Sequence, residues 1–255
     1  LGAVVKSEWI KFRSVRSSLW GIATFLILTL GLGVLITVAV RSNWAHSGPD
    51  VRVGFDPTST SLTSTAFAQF AVGVIGILFI TAEYTSGSIR TTFAAVPNRF
   101  RVIGAKLLVL VASILVTGEA ICIATFLTGQ SIFKGVVPTA SLSNSSVLRS
   151  VLLAGVYLTL AAMIGFAIGL MLRHSAGTIS VYVGLLLILP LITLALPQSW
   201  QDHIDKFEPS TLGREMMSPF PAQHMYSAWT ATLILFIYAL ILTVVGVMFT
   251  QRRDA

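Results

Sequence analysis

Six long apolar runs alternate along the chain with shorter polar stretches, at 19–40, 66–82, 105–127, 148–172, 177–196 and 229–249. A helix rises about 1.5 Å per residue, so the first run alone reaches about 33 Å, enough for a bilayer core of about 30 Å. The pattern therefore predicts six membrane-spanning helices. Stretches 41–64 and 128–146 are rich in Ser, Thr, Asn, Gly and Pro and read as solvated loops. Arg173-His174 makes a very short turn. Pro190 falls inside the fifth run and should kink it, because it has no N–H and crowds the preceding turn.

Two of the flanking stretches carry a helical pattern of their own. In 3–18, Val4, Val5, Trp9, Phe12, Val15 and Leu19 share one arc of a helical wheel, while Lys6, Ser7, Lys11, Arg13, Ser14 and Ser17 take the other side. Glu8 and Arg16 intrude on the apolar arc. Such a helix lies in a membrane interface; the alternative is a plain juxtamembrane flank. In 83–104, Thr85 or Ser86 offers a cap, Gly87 a sharp turn, and Ser88 to Ala95 about two turns of helix before Pro97 stops them. Pro97-Asn98 then turns the chain back, with Arg99, Arg101 and Lys106 expected at headgroup level. In 198–228, Trp200, Ile204 and Phe207 predict one short amphipathic helix, followed by an irregular return through Pro209, Gly213, Pro219 and Pro221.

Composition agrees with this layout. Of the 255 residues 55% are hydrophobic and 11% charged, against about 25% charged in a soluble domain. The mean hydropathy is +0.84. A net charge of +7 raises the question of nucleic acid, but the basic residues sit at the ends of apolar runs, as in membrane flanks. Eleven of the 17 Lys and Arg fall on the side that holds both termini, which the positive-inside bias places in the cytoplasm. The first run is too long for a signal peptide's apolar region and ends without a cleavage site, so it reads as a span. The single cysteine, Cys122, allows no intrachain disulfide, and the scattered histidines have no metal-ligand spacing.

Candidate chemistry inside the spans is sparse. Glu119 is a carboxylate within the third run, and either lines a cavity or hydrogen-bonds a neighbouring helix. Gln69, Thr24 and Thr29 are further polar residues that would line a route through the bundle. Ala161, Gly165 and Gly169 form a small-residue line suited to close helix packing. No Gly-Lys pair occurs, so the chain has no Walker A loop to hold nucleotide phosphates. Nor do the spans hold a histidine or aspartate for an intramembrane hydrolase. The alternative of another class is an ion-coupled secondary transporter, which calls for several intramembrane charges and broken helices where these spans offer one carboxylate and one proline kink.

The run Glu83-Tyr-Thr-Ser-Gly-Ser-Ile-Arg-Thr-Thr, then Ala95-Val-Pro-Asn-Arg and Ala105-Lys106, resembles the segment between the second and third helices of ABC-2 type permeases. The opening Ser7-Glu8-Trp-Ile-Lys11-Phe-Arg-Ser14-Val-Arg-Ser17 and the closing Arg252-Arg-Asp-Ala also resemble that family, especially its actinobacterial members. The resemblance implies a single all-α membrane domain, 1–255. It would have six spans, an N-terminal interfacial helix, a cytoplasmic coupling helix after the second span and short outer helices before the sixth. It also implies a multi-pass subunit of a bacterial exporter in the cytoplasmic membrane. That subunit would not itself be an enzyme. It would pair with a second permease, identical or paralogous, and with two ATPase subunits that bring the ATP and Mg; the chain would hold no cofactor of its own. Tyr84, Ser86, Ser88, Ile89, Arg90, Thr92 and Phe93 are then the docking residues. Glu83 is placed to brace the joint by pairing with Arg13, Arg16 or Arg90. The implied cargo is a hydrophobic or amphipathic drug, antibiotic or peptide, with a lipid or glycolipid as the alternative.

Overall fold

A computed structural model of the protein describes residues 2–220 and 225–253. Pro221, His224 and the tail residues Asp254 and Ala255 lie outside the described residues. Those described form helices and connecting loops, with no strand among them. After α1 (Gly2–Ser14) come α2 (Arg16–His46), α3 (Pro57–Ser86), α4 (Ser88–Ala95), α5 (Arg99–Phe133), α6 (Ser145–Leu172) and α7 (Ser175–Thr193). Two short helices, α8 (Gln198–Ile204) and α9 (Pro209–Met217), lead to α10 (Ala228–Arg253). Six of these, α2, α3, α5, α6, α7 and α10, are long and apolar enough to cross a membrane, one for each predicted run. The protein is thus all-helical and of multi-pass membrane type.

Local chemistry sets the helix ends. Asp56 caps α3 by accepting from the Thr58 and Ser59 N–H groups at 2.9 and 3.2 Å, with Pro57 in the first turn, where its missing N–H is harmless. Asn98 caps α5 and Asn144 caps α6 in the same way. Gly87, at φ +74°, ends α3 in the left-handed conformation that favours glycine. Arg173 adopts the same conformation (φ +60°) between α6 and α7, allowing the very short turn seen in the sequence.

Helix α6 is the hub. It is apolar around its whole circumference and packs against α3, α5 and α10. Glycines bring it into backbone contact with α3. A Cβ on Gly76 would lie 2.2 Å from the Ala162 carbonyl oxygen, and one on Gly165 would lie 2.5 Å from that of Gly73. The predicted small-residue line is therefore a packing seam. Polar atoms inside the bundle are held by tyrosines. Tyr157 of α6 donates to Gln69 Oε1, and Tyr182 of α7 donates to the Gln69 carbonyl oxygen at 3.0 Å.

The 198–228 stretch departs from its sequence reading. Residues after Phe207 do not return irregularly but form α9, whose Leu212, Met216 and Met217 are buried against α6 and α10. Pro209 and Gly213 read as helix breakers, yet Pro209 sits in the first turn of α9, and Gly213 lets the helix meet the Tyr157 ring. Helix α9 also repairs the break in α7. Because Pro190 has no N–H, the Leu186 carbonyl loses its usual partner four residues on, and Ser210 Oγ donates to it at 3.2 Å. A π-turn at Gly184–Ile188 precedes the proline, as expected where the ladder is interrupted.

The glycine seam makes a clear prediction. Gly76→Leu should destabilise the purified protein by about 3 kcal/mol or more, above the usual range for overpacking, because its new atoms meet backbone. A Cβ added at Gly104 would meet nothing within 4 Å, so that position should accept alanine with no loss. Thermal unfolding in detergent, followed by loss of the monodisperse chromatographic peak, measures both.

Candidate functional site

Helix α4 is joined to the spans with almost no slack. Gly87 alone separates it from α3, and Val96, Pro97 and Asn98 separate it from α5. Both connections are short, so α4 cannot travel far without drawing on α3 and α5.

Beneath this joint lies a closed ion cluster. In α1 the buried residues are Glu8 and Phe12. Phe12 packs edge-on against Phe79 of α3 with ring centroids 5.2 Å apart. Glu8 Oε2 accepts from Lys106 Nζ of α5 at 2.6 Å, and Lys106 also donates to Glu83 Oε1 of α3 at 2.7 Å. Lys11 closes the ring, donating to Glu83 Oε1 at 3.0 Å and to Glu8 Oε1 at 2.9 Å. It also reaches Thr92 Oγ1 of α4 at 3.4 Å. Two acids and two lysines from α1, α3 and α5 therefore neutralise one another, with a polar contact to α4. Lys106 and Glu8 are each only 1% exposed, and the Lys106 ammonium sits 4.9 Å from the centre of the Phe79 ring. Glu83 Oε2 is buried with no hydrogen-bond partner.

Burial disfavours the Lys11 charge, but hydrogen bonds to Glu8 and Glu83, and their negative charges, outweigh it and raise its pKa above the ordinary 10.5. A lysine raised on folding contributes stability that is complete below its unfolded value and lost as the pH climbs through its folded one. This contribution is thus fully present at neutral pH and fades only above 10.5.

The cluster corrects the expected brace. Glu83 pairs with Lys11 and Lys106, not with Arg13, Arg16 or Arg90. Arg13 lies two residues beyond Lys11, about 200° around the helix, and so points away from the cluster. Arg16 follows the break in the helix at Val15 and is exposed, and so is Arg90. Lys106, expected to flank the third span as a basic headgroup-level residue, is buried between two carboxylates. A sequence signal for Glu8 does exist. A carboxylate on an apolar arc, one turn before a lysine, signals a buried pair.

The docking residues divide by exposure. Ser86, Ser88 and Arg90 are exposed, while Tyr84, Thr92 and Phe93 are half-buried. Ile89 is buried and anchors α4, so it offers no docking surface. A cleft of about 750 Å³ opens beside α4, lined by Tyr84, Gly87, Arg90, Phe93, Arg99 and Arg173 among others. Arg173 lies over the Tyr84 ring at 5.0 Å and Arg99 over the Phe93 ring at 5.4 Å. Arg99 also donates to the Thr250 carbonyl at 3.2 Å, linking the start of α5 to the end of α10.

The expected pathway residues do not converge. Gln69 is occupied by Tyr157 and Tyr182, and Thr29 donates to the Phe25 carbonyl of its own helix at 2.7 Å. Thr24 faces outward. Glu119 is half-buried in a notch against Gly155 of α6, its Oε2 without a hydrogen-bond partner. An apolar recess lies elsewhere, between α6, α7 and α10. It holds about 540 Å³ and is lined by Ile168, Leu185, Phe207, Pro209, Tyr238 and Ile241 among others. Among the described residues, no three His, Cys, Asp or Glu side chains come together to hold a metal.

Replacing one partner in the cluster strands a buried charge, so Lys106→Met should lower stability by about 3–5 kcal/mol. The double variant Glu8→Leu/Lys106→Leu leaves the neutral Lys11–Glu83 pair and should recover most of that loss. Thermal unfolding of the two proteins side by side tests the pairing. No protein-family model matches this chain, and no curated protein matches it either.

Proposed function

We propose that the chain is an ABC-2 type permease, the membrane subunit of an ATP-driven bacterial exporter. The observation that carries this reading is the joint. An eight-residue helix is tied tightly to two spans, rests on a closed ion cluster and leaves Ser86, Ser88 and Arg90 exposed. Such a joint suits a push delivered from outside the membrane. In this proposal two ATPase subunits dock on α4 from the cytoplasm, bringing ATP and Mg. A second permease, identical or paralogous, completes the pathway. Both termini are cytoplasmic, α1 lies in the membrane interface, and α8 and α9 cover the outer side.

The cargo is a hydrophobic or amphipathic drug, antibiotic or peptide. The apolar recess between α6, α7 and α10 supports that choice, since its lining offers hydrophobic contact to a molecule arriving from the bilayer. The same lining would accept an acyl chain, which keeps lipid or glycolipid export as the second reading.

Purification from native membranes should bring down a stand-alone ATPase. The chain alone should hydrolyse no ATP, and the complex should. Arg90→Glu combined with Ser88→Glu should reduce partner-stimulated ATP turnover at least tenfold while leaving the thermal stability of the permease unchanged. Unaltered turnover and export in that variant would overturn the docking assignment.

A further inference from the structure

We propose that the groove between α1, α2 and α5 is a seat for one phospholipid with an anionic headgroup, whose phosphate is held by Arg13. The groove holds about 350 Å³ and is lined by Trp9, Phe12, Arg13, Leu19, Ile22, Ala112, Ser113, Val116 and Thr117. That volume lies within the range of small-ligand pockets, about 300–1,000 Å³, and suits part of an acyl chain. Its walls are more apolar than their residue names suggest. Ser113 Oγ donates to the Val109 carbonyl and Thr117 Oγ1 to the Ser113 carbonyl, both at 2.6 Å, so these hydroxyls are turned back onto their own helix. The stacked rings of Trp9 and Phe12, 6.4 Å apart, form the end nearest α1.

Charge and direction select the occupant. Among the described lining residues Arg13 alone is charged; it is exposed, and the ion cluster leaves it outside. Leu19 and Ile22 lie along α2 beyond it, and Val116, 70% exposed, lies along α5. The groove thus runs from a cation at the end of α1 into the apolar length of two spans. A lipid has the same polarity, with an anion at one end and a chain behind it. A guanidinium offers phosphate a two-pronged hydrogen bond, and a zwitterionic headgroup's own ammonium offsets that charge, so a net-anionic headgroup is preferred. The recess between α6, α7 and α10 is larger, but no charged residue among those described lines it to choose a headgroup. The seat does not depend on the transport reading, since it follows from the groove and the six spans alone.

The test uses the full chain in bilayer nanodiscs of zwitterionic phosphatidylcholine doped with brominated-chain lipid, which quenches nearby tryptophan. In a variant keeping Trp9 as sole tryptophan, brominated phosphatidylglycerol should quench Trp9 at about one-fifth the concentration of brominated phosphatidylcholine. That is the factor one basic residue contributes at an anionic surface. Arg13→Gln should abolish the preference. Lys6→Gln, on the same helix but outside the groove, should retain it. Native mass spectrometry of the protein with all its tryptophans should show one phosphatidylglycerol retained, and none in Arg13→Gln. Equal quenching by the two lipids, a preference that survives Arg13→Gln, or equal losses in Arg13→Gln and Lys6→Gln would each overturn the proposal.

Discussion

A lysine ammonium and a glutamate carboxylate cannot be buried singly in an apolar bundle, because each loses several kcal/mol of hydration. That constraint organises the α1 end of this protein. Lys106 is level with apolar neighbours, so it requires Glu8 and Glu83, and those carboxylates in turn require Lys11. The four charges close only if α1, α3 and α5 take one mutual arrangement. Dispersion contacts alone would tolerate sliding; short bonds between charged groups do not. The cluster therefore defines the position of α1, which otherwise has few buried side chains. It also explains why α4, held at both ends and touching Lys11 through Thr92, behaves as part of the bundle rather than as a loop.

Much of the architecture is legible in the sequence. The six spans follow from hydropathy because a bilayer demands long apolar helices whatever their neighbours. The α3–α4–α5 turns follow from Gly87, Pro97 and Asn98, whose effects act within a few residues. What the sequence hides is partnership across the bundle. Glu83 can be given a cationic partner on α1, but only the packed fold shows that Lys11, rather than Arg13 or Arg16, faces it, and that Lys106 of α5 joins them. Gln69 reads as a polar residue in search of a route, and only the fold reveals the two tyrosines that occupy it. Helix α9 is hidden for a different reason. Proline and glycine read as breakers, whereas Pro209 occupies the one helical turn that tolerates it and Gly213 is required by the Tyr157 ring.

The two ends of the bundle are held by different kinds of interaction. At the α1 end, charged groups bond at 2.6–3.0 Å around a closed ring. At the other end, α9 is held to the broken part of α7 by single bonds, Ser210 to the Leu186 carbonyl and Thr193 to Glu208 at 2.8 Å. Burial pushes the Glu208 carboxyl upward, partly offset by the Thr193 hydrogen bond, so holding it there ionised works against its seat. Helix α7 is also weakened where the π-turn and Pro190 interrupt its ladder. If α4 is where a partner pushes, a ring of charges would transmit the displacement with little deformation. The first place to give would be the α7–α9 contact, where the α7 hydrogen-bond ladder is interrupted and the Ser210–Leu186 and Thr193–Glu208 bonds cross. The apolar recess between α6, α7 and α10 is lined by Phe207 and Pro209, at the start of α9, so movement at that contact alters the shape of the recess itself. Under the proposed function, the push would enter at the end held by the ion ring and be taken up at the end where α7 is interrupted.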